Sequence, residues 1–528
     1  MNKTALLIIN ACLALITISC GGHSSKSDSE NDSIATADSA KDAISVSPAM
    51  LPDTAYASIR AIRPVTKVYL ENVDGNIGYT GNMYANTPGV FTFRGGAFRD
   101  ADFHGTVKGT PTKIDVVWEF KTDQSRPTSG GTSWGGGSGW TGQPLYVEWP
   151  DSCVKRFRSA GVVTDHFQPR EIIVGSLAGR VYFIDYETGK ASRQSIDITN
   201  PIKGTISLDP TLNGNLYVGQ GIPVSQPFGA LVIDLFRHKV THTYGMDSRA
   251  PRHWGAYDSS ALRVGRFLIR PGENGMLYKF LVRPGELVLH STMHYTTASN
   301  QLGMEASMSQ YANYGFTADN EGNLVCTDLN TMRPVWHYAM GDDTDSSPVL
   351  MVENGHPYIY TGSEIDKQGE GIGKFVKIDA LNGHEVWHSD FRGRLYNVDR
   401  KHFDGGFYGT SLPGRGDCAD LIFANVVYNT KGMNGSFVAM ERASGKVRYE
   451  VPLRCYAWSS PVGFLNEKNE QYIFAADCAG RVYLLRGNTG EIIYSAVVGH
   501  NFESSPVVVG NTLVVGSRGN TIFKMAIR

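Results

Sequence analysis

The chain is poor in cysteine, has no excess of either charge, and has no apolar run long enough to cross a bilayer. Only seven of its 528 residues are cysteines. No Cys-x-x-C occurs, which excludes zinc-ribbon and thioredoxin chemistry. Lys plus Arg number 49 against 51 Asp plus Glu, a net charge of −2 with no basic run, so nucleic acid is excluded as a partner. The most apolar stretch, residues 5–18, is interrupted by Asn10 and falls short of the ~18–20 residues of a transmembrane helix. The Gly-rich segment 129–140 lacks the Gly-Lys-Ser/Thr ending of a phosphate loop. No nucleophile–base motif and no metal-ligand spacing appears, so the reading leans away from an enzyme. What is abundant is glycine (59 residues), tyrosine (25) and phenylalanine (23), a composition of strands and turns.

The N-terminus reads as an export signal over residues 1–19, with Lys3 ahead of the apolar run. The sequence Thr17-Ile18-Ser19-Cys20-Gly21 resembles a bacterial lipoprotein lipobox, with Thr17 where Leu is commonest. That resemblance implies that Cys20 becomes the lipid-bearing first residue. Several acyl chains on one cysteine, palmitate among them, would hold the protein stably at a membrane. Ordinary signal cleavage is the alternative. Residues 20–50 are rich in Ser and Asp with almost no large apolar side chains, so they are expected to form a disordered tether. The implied location is the outer membrane, lipid-anchored, on its periplasmic or cell-surface face.

Beyond the tether one pattern recurs eight times: a glycine, a short strand of alternating apolar residues, and usually a turn with a second strand. The clear copies begin at Gly179, Gly373, Gly435 and Gly480, and the weaker ones at Gly229, Gly275, Gly322 and Gly519. A spacing of roughly 40–60 residues is that of propeller blades. A second signature marks the innermost strand, A, of each blade. It reads Asp258-Ser259-Ser260, Asp345-Ser346-Ser347-Pro348, Trp458-Ser459-Ser460-Pro461 and Glu503-Ser504-Ser505-Pro506, with degenerate forms opening at Thr141, Ser207, Glu305 and Tyr408. Together these predict an all-β protein, an eight-bladed β-propeller of four-stranded antiparallel blades over 114–528. The final repeat supplies only three strands. Residues 116–120 are therefore expected to add the fourth and close the ring, with 51–113 as an N-terminal lead-in.

The turns ahead of the outer strands carry a family resemblance. Ile184-Asp185-Tyr186-Glu187-Thr188-Gly189-Lys190 and the segment from Ile378-Asp379 through Asn382-Gly383 to Trp387 resemble the tryptophan-docking repeat of pyrroloquinoline-quinone-type propellers. In that repeat an Asp caps the turn, a Gly takes the left-handed position and an aromatic docks on the next blade. Trp118, Trp336, Trp387, Tyr449 and Tyr494 fill the aromatic place, while Arg193 and Leu289 depart from it. Phe93-Arg94-Gly95-Gly96, with Arg99, resembles the lead-in of such propellers. The quinoprotein alcohol dehydrogenase branch implies pyrroloquinoline quinone with calcium beside an adjacent cysteine pair. This chain has no adjacent cysteines, nor the calcium-ligand set at matching positions. It more closely resembles the scaffold lipoprotein of the outer-membrane barrel-assembly complex, which implies envelope-protein partners and no cofactor.

Loops from the outer strand D to the next A open on one face of a propeller. They place Arg252, His253, Trp254, Arg394 and His500 at a mouth. The residues opening the A strands form a deeper ring containing Asp258, Glu305, Asp345, Tyr408, Trp458 and Glu503, with Trp140 beside it. Arginines with aromatics suit a small anionic or carbohydrate ligand. Converging carboxylates suit a hard cation or acid–base work. A wet, polar-lined channel is the plain alternative. Cys455 and Cys478 fall on one face of one blade and are candidates for a disulfide. The function read here is a membrane-anchored binding or scaffolding module of the bacterial envelope. The alternative is a quinoprotein-like oxidoreductase or a carbohydrate-active enzyme using the channel residues.

Overall fold

The structure is a computed structural model that describes residues 62–528 apart from 79–80, 101–102, 140, 298, 300, 368 and 399–400. Cys20, the signal, the tether and Trp140 lie outside the described residues. Eight small antiparallel sheets follow one another around an axis. Their A strands are Leu145–Glu148, Ser207–Leu208, Leu262–Val264, Ser309–Tyr311, Val349–Glu353, Leu412–Pro413, Val462–Leu465 and Val507–Val509. Strands B and C are the middle of every blade and meet a neighbour on both faces. In blade 1, Arg170–Ser176 and Arg180–Asp185 are accordingly buried along almost their whole length. Blade 1 also carries a helix, Asp151–Ser159, between its A and B strands.

The ring closes as the repeat count requires. Strand C of blade 8, Thr521–Ile527, pairs antiparallel with Ile114–Lys121, so the outermost strand of the last blade comes from the N-terminal side. The lead-in is not a separate unit. Val65–Val68 pairs along the outer edge of blade 3, Gly89–Val90 along the A strand of blade 1, and Phe103–His104 in parallel with the A strand of blade 8.

The tryptophan-docking turns explain how neighbouring blades grip each other. Trp118, Trp336 and Trp387 donate their indole N–H to the carbonyls of Tyr186, Ala380 and Arg442 at 3.1, 3.0 and 2.9 Å. Each ring lies on the turn glycine of the next blade. A Cβ at Gly383, where φ is +74°, would sit 2.7 Å from Trp336, and one at Gly445 would sit 2.5 Å from Trp387. Only glycine satisfies the left-handed backbone and the close ring together. Arg193, which departs from the pattern in sequence, takes the same post. Its guanidinium reaches the Leu235 carbonyl at 3.5 Å, lies 3.9 Å over the Phe157 ring from the helix, and is neutralised by buried Glu171 at 2.9 Å.

Candidate functional site

The x-Ser-Ser-Pro signature builds a belt around the axis. In six of the eight runs the hydroxyl two residues in accepts the backbone N–H of the equivalent residue one blade earlier. Gln143 donates to Thr205, Ser260 to Ser307, Ser307 to Ser347, Ser347 to Thr410, Thr410 to Ser460 and Ser460 to Ser505, at 2.8–3.3 Å. Serine and threonine suit this post because they are small and offer an acceptor without bulk. The belt also corrects one register. Thr205, not Asp209, aligns with Ser260, so blade 2 contributes Lys203 to the ring where the sequence suggested Ser207. Every ring residue then stands four positions ahead of its A strand.

Beneath the belt the lead-in plugs the axis. Arg94 donates to the carbonyls of Pro461 and Ser411 at 2.7 and 2.8 Å, and Arg99 to those of Met308 and Ser260 at 2.8 and 3.1 Å. Both side chains are fully buried. Burial pulls Arg99 down to about 10.

Above the belt the ring divides into two arcs. In one arc Lys203 pairs with Asp258, and with Glu305 at 3.4 Å. The turns between strands B and C bring in further acids. Asp258, Glu273 and Glu305 present oxygens within 4.8 Å of one another, and so do Asp343, Asp345 and Glu364. Lys203 pairs with two of these six carboxylates. At an effective dielectric near 20, two charges 4.8 Å apart repel by about 3–4 kcal/mol, so these groups cannot all stay ionised uncompensated. Burial pushes Glu273 well above the usual carboxylate range, reinforced by Asp258 and Glu305. The same causes raise Asp345, through Glu305 and Asp343, and Glu364, through Asp345 and Asp343. Burial opposes the Lys203 charge, but Asp258 and Glu305 overrule it and hold its ammonium well above the ordinary lysine range. Between ring and belt, a cavity of about 20 Å³ touches Asp258, Glu305 and Asp345, room for one water or one ion.

The other arc is occupied by its own partners. Tyr408 stacks on Trp458 with ring centres 4.6 Å apart. Glu503 accepts from Arg518 at 3.1 Å and Asn501 at 2.7 Å, so it does not join the other three ring carboxylates. Among the mouth residues, Trp254 donates to the Glu273 carboxylate at 3.0 Å and Arg252 to the Glu273 carbonyl at 3.2 Å. His253 is exposed. His500 shares a shallow pocket with Cys478, and Arg394 lines a lateral cleft. Cys455 and Cys478 are separate free thiols, packed against the Tyr408–Trp458 cluster. The sequence reading missed Glu273 and Glu364. Their signal, an acid at the end of strand B, is shared with Asp319 and Asp477, which instead cap their own turns.

No protein-family model and no curated protein sequence matches the chain. Solved structures do. A europium-containing methanol dehydrogenase superposes with a TM-score of 0.57 at 12% identity, over 84% of this chain and 99% of that one. Quinohemoprotein alcohol dehydrogenase from Comamonas testosteroni gives 0.57 at 13% identity, over 90% and 84%. The chain has the quinoprotein-type eight-bladed propeller fold. BamB from Moraxella catarrhalis gives 0.47 at 17% identity, over 69% and 98%. These identities make the likeness one of fold.

The family resemblance implies pyrroloquinoline quinone with calcium beside an adjacent cysteine pair, and the residues at the axis bear on that. The cavity between ring and belt is about 20 Å³, Tyr408 and Trp458 are stacked on each other, and the chain has no adjacent cysteines. The carboxylate arc fits a hard cation better, by donor type and by the spacing of its oxygens. No described helix is long and apolar enough to cross a membrane.

Proposed function

We propose that this propeller is a binding or scaffolding module of the bacterial envelope, tethered through Cys20, whose axis holds a hard cation of the calcium class. The observation that carries the cation is the pair of carboxylate triads, with oxygens within 4.8 Å as ligands ~2.4 Å from one ion must be. A second observation supports it. Glu273 is 3% exposed, yet its Oε1 has no hydrogen-bond partner, and neither has Asp258 Oδ1. Buried carboxylate oxygens left in that state are costly unless protonated or metal-bound. A cation in either triad would fix the B–C turn of its blade, 3 or 5, to the ring and so stiffen the mouth that partners meet. The europium named in the methanol dehydrogenase shows that a propeller of this architecture accommodates a hard cation in that protein. The lead-in plug and the lack of adjacent cysteines speak against a quinone-dependent oxidoreductase.

Terbium luminescence tests the site, because Trp254 donates to Glu273 and is placed to sensitise an ion there. Emission excited through tryptophan should rise on adding terbium, fall on competition with calcium, and vanish in Glu273→Gln. Emission that survives both Glu273→Gln and Glu364→Gln in one protein would overturn the axial assignment. Addition of pyrroloquinoline quinone and calcium should give no dye reduction with alcohols or sugars; turnover would replace this reading by the oxidoreductase one. Crosslinking in native envelopes should capture protein partners.

A further inference from the structure

A lateral cleft is built by a hairpin longer than its blade. Strands C and D of blade 5, Glu370–Asp379 and Glu385–Arg394, are each ten residues long and extend past the strands they pack on. On the side facing blade 6 the extension is glycine. A Cβ at Gly373 would sit 2.7 Å from Gly406 Cα, and one at Gly393 would sit 3.0 Å from the Tyr428 carbonyl. Backbone therefore lies on backbone, and the opposite face of the hairpin is held rigidly open toward blade 4.

That open face is a ladder of opposed side chains: Glu370 across from Arg394, Ile372 across from Arg392, and Lys374 across from Asp390. With Asp342 of the blade 4–5 connection they line a cleft of about 790 Å³, within the ~300–1,000 Å³ usual for ligand sites. Three acids, Asp342, Glu370 and Asp390, meet three permanently charged bases, Lys374, Arg392 and Arg394, with His388 beside them. Asp342 accepts from the backbone of Asp343 and Asp390 lies 4.0 Å from His388, but the remaining charges do not consume one another. The side chains of Glu370, Arg392 and Arg394 have no ion-pair or hydrogen-bond partner among the described residues, and Lys374 lies toward the Tyr338 ring at 5.9 Å.

The charge balance decides the ligand class. A polyanion would meet a carboxylate on two of the three rungs, and a polycation would meet an arginine or lysine on all three. A neutral polyol meets no repulsion. Each sugar hydroxyl is both donor and acceptor, so it can serve a guanidinium and a carboxylate at once. Exposed Ile372 offers an apolar patch for the C–H face of a ring. We propose that this cleft binds a neutral oligosaccharide. The assignment does not depend on the axial cation.

Calorimetry on the full-length protein tests it with neutral gluco-, manno-, galacto- and xylo-tetrasaccharides, plus tetragalacturonate and a polyglutamate peptide as charged probes. At least one neutral sugar should bind with Kd below about 1 mM. Its affinity should be insensitive to salt between about 50 and 500 mM, because no net charge is neutralised. The double variant Asp390→Asn, Arg392→Gln should weaken it about tenfold or more while the melting temperature stays unchanged, both residues being exposed. Silence across all the neutral sugars overturns the proposal. So does affinity that survives the double variant, or binding confined to the charged probes with steep salt dependence.

Discussion

Arg94 shows how a single side chain can fasten a ring. It is fully buried and sits at φ 54°, in the left-handed region that costs an L-residue roughly 1–2 kcal/mol. The position persists because the guanidinium fork reaches two blades at once, through the carbonyls of Ser411 and Pro461. Lysine keeps the charge but not the fork. Each hydrogen bond to a charged group contributes about 1.5–3 kcal/mol, so Arg94→Lys should lower unfolding free energy by at least about 3 kcal/mol in urea. Secondary structure should be retained, as read by far-UV circular dichroism. An unchanged urea midpoint would mean that the plug follows the ring passively. Nothing in the local sequence marked Arg94 as axial, because its partners lie more than 300 residues away.

At the scale of elements, the sequence was legible wherever the constraint is local. The Asp-to-Gly turn and its docking aromatic sit within one blade's repeat, and they place Trp118, Trp336 and Trp387 correctly. The same logic places 116–120 as the closing strand, now seen as Ile114–Lys121. It slipped in blade 2, where Thr205-Ile206-Ser207 offers two hydroxyls and only the belt hydrogen bond from Gln143 picks the right one. Closure has a direct consequence. A chain beginning at Lys121 loses the outer strand of blade 8, the edge pairing on blade 3 and both plug arginines. It should show no cooperative thermal transition, whereas the full-length protein melts cooperatively. Equal melting curves in differential scanning calorimetry would show that the ring holds without its lead-in.

For the whole molecule, the axis gathers charge that no linear motif displays. Asp258, Glu305 and Asp345 were readable because the A-strand signature repeats; Glu273 and Glu364 were not, because only the assembled ring brings their turns inward. The raised carboxyls make stability depend on pH in a definite direction. Asp404, beside this cluster, is pushed up to about 7 by burial and by Asp366, against an ordinary 3.8. A carboxyl with a raised folded pKa binds its proton more tightly when folded. Its contribution is complete below about pH 4 and is lost as pH rises through about 7. The chelator-treated protein should therefore melt higher at pH 5 than at pH 8, the reverse of a protein whose carboxylates are salt-bridged. Calcium takes only the ionised groups, so its stabilisation should grow with pH, reaching about 2.7 kcal/mol at a hundredfold excess over Kd. The pH 5 to 8 decline should flatten or invert in millimolar calcium and return with chelator. Parallel melting-temperature profiles with and without calcium would leave the axis without its ion.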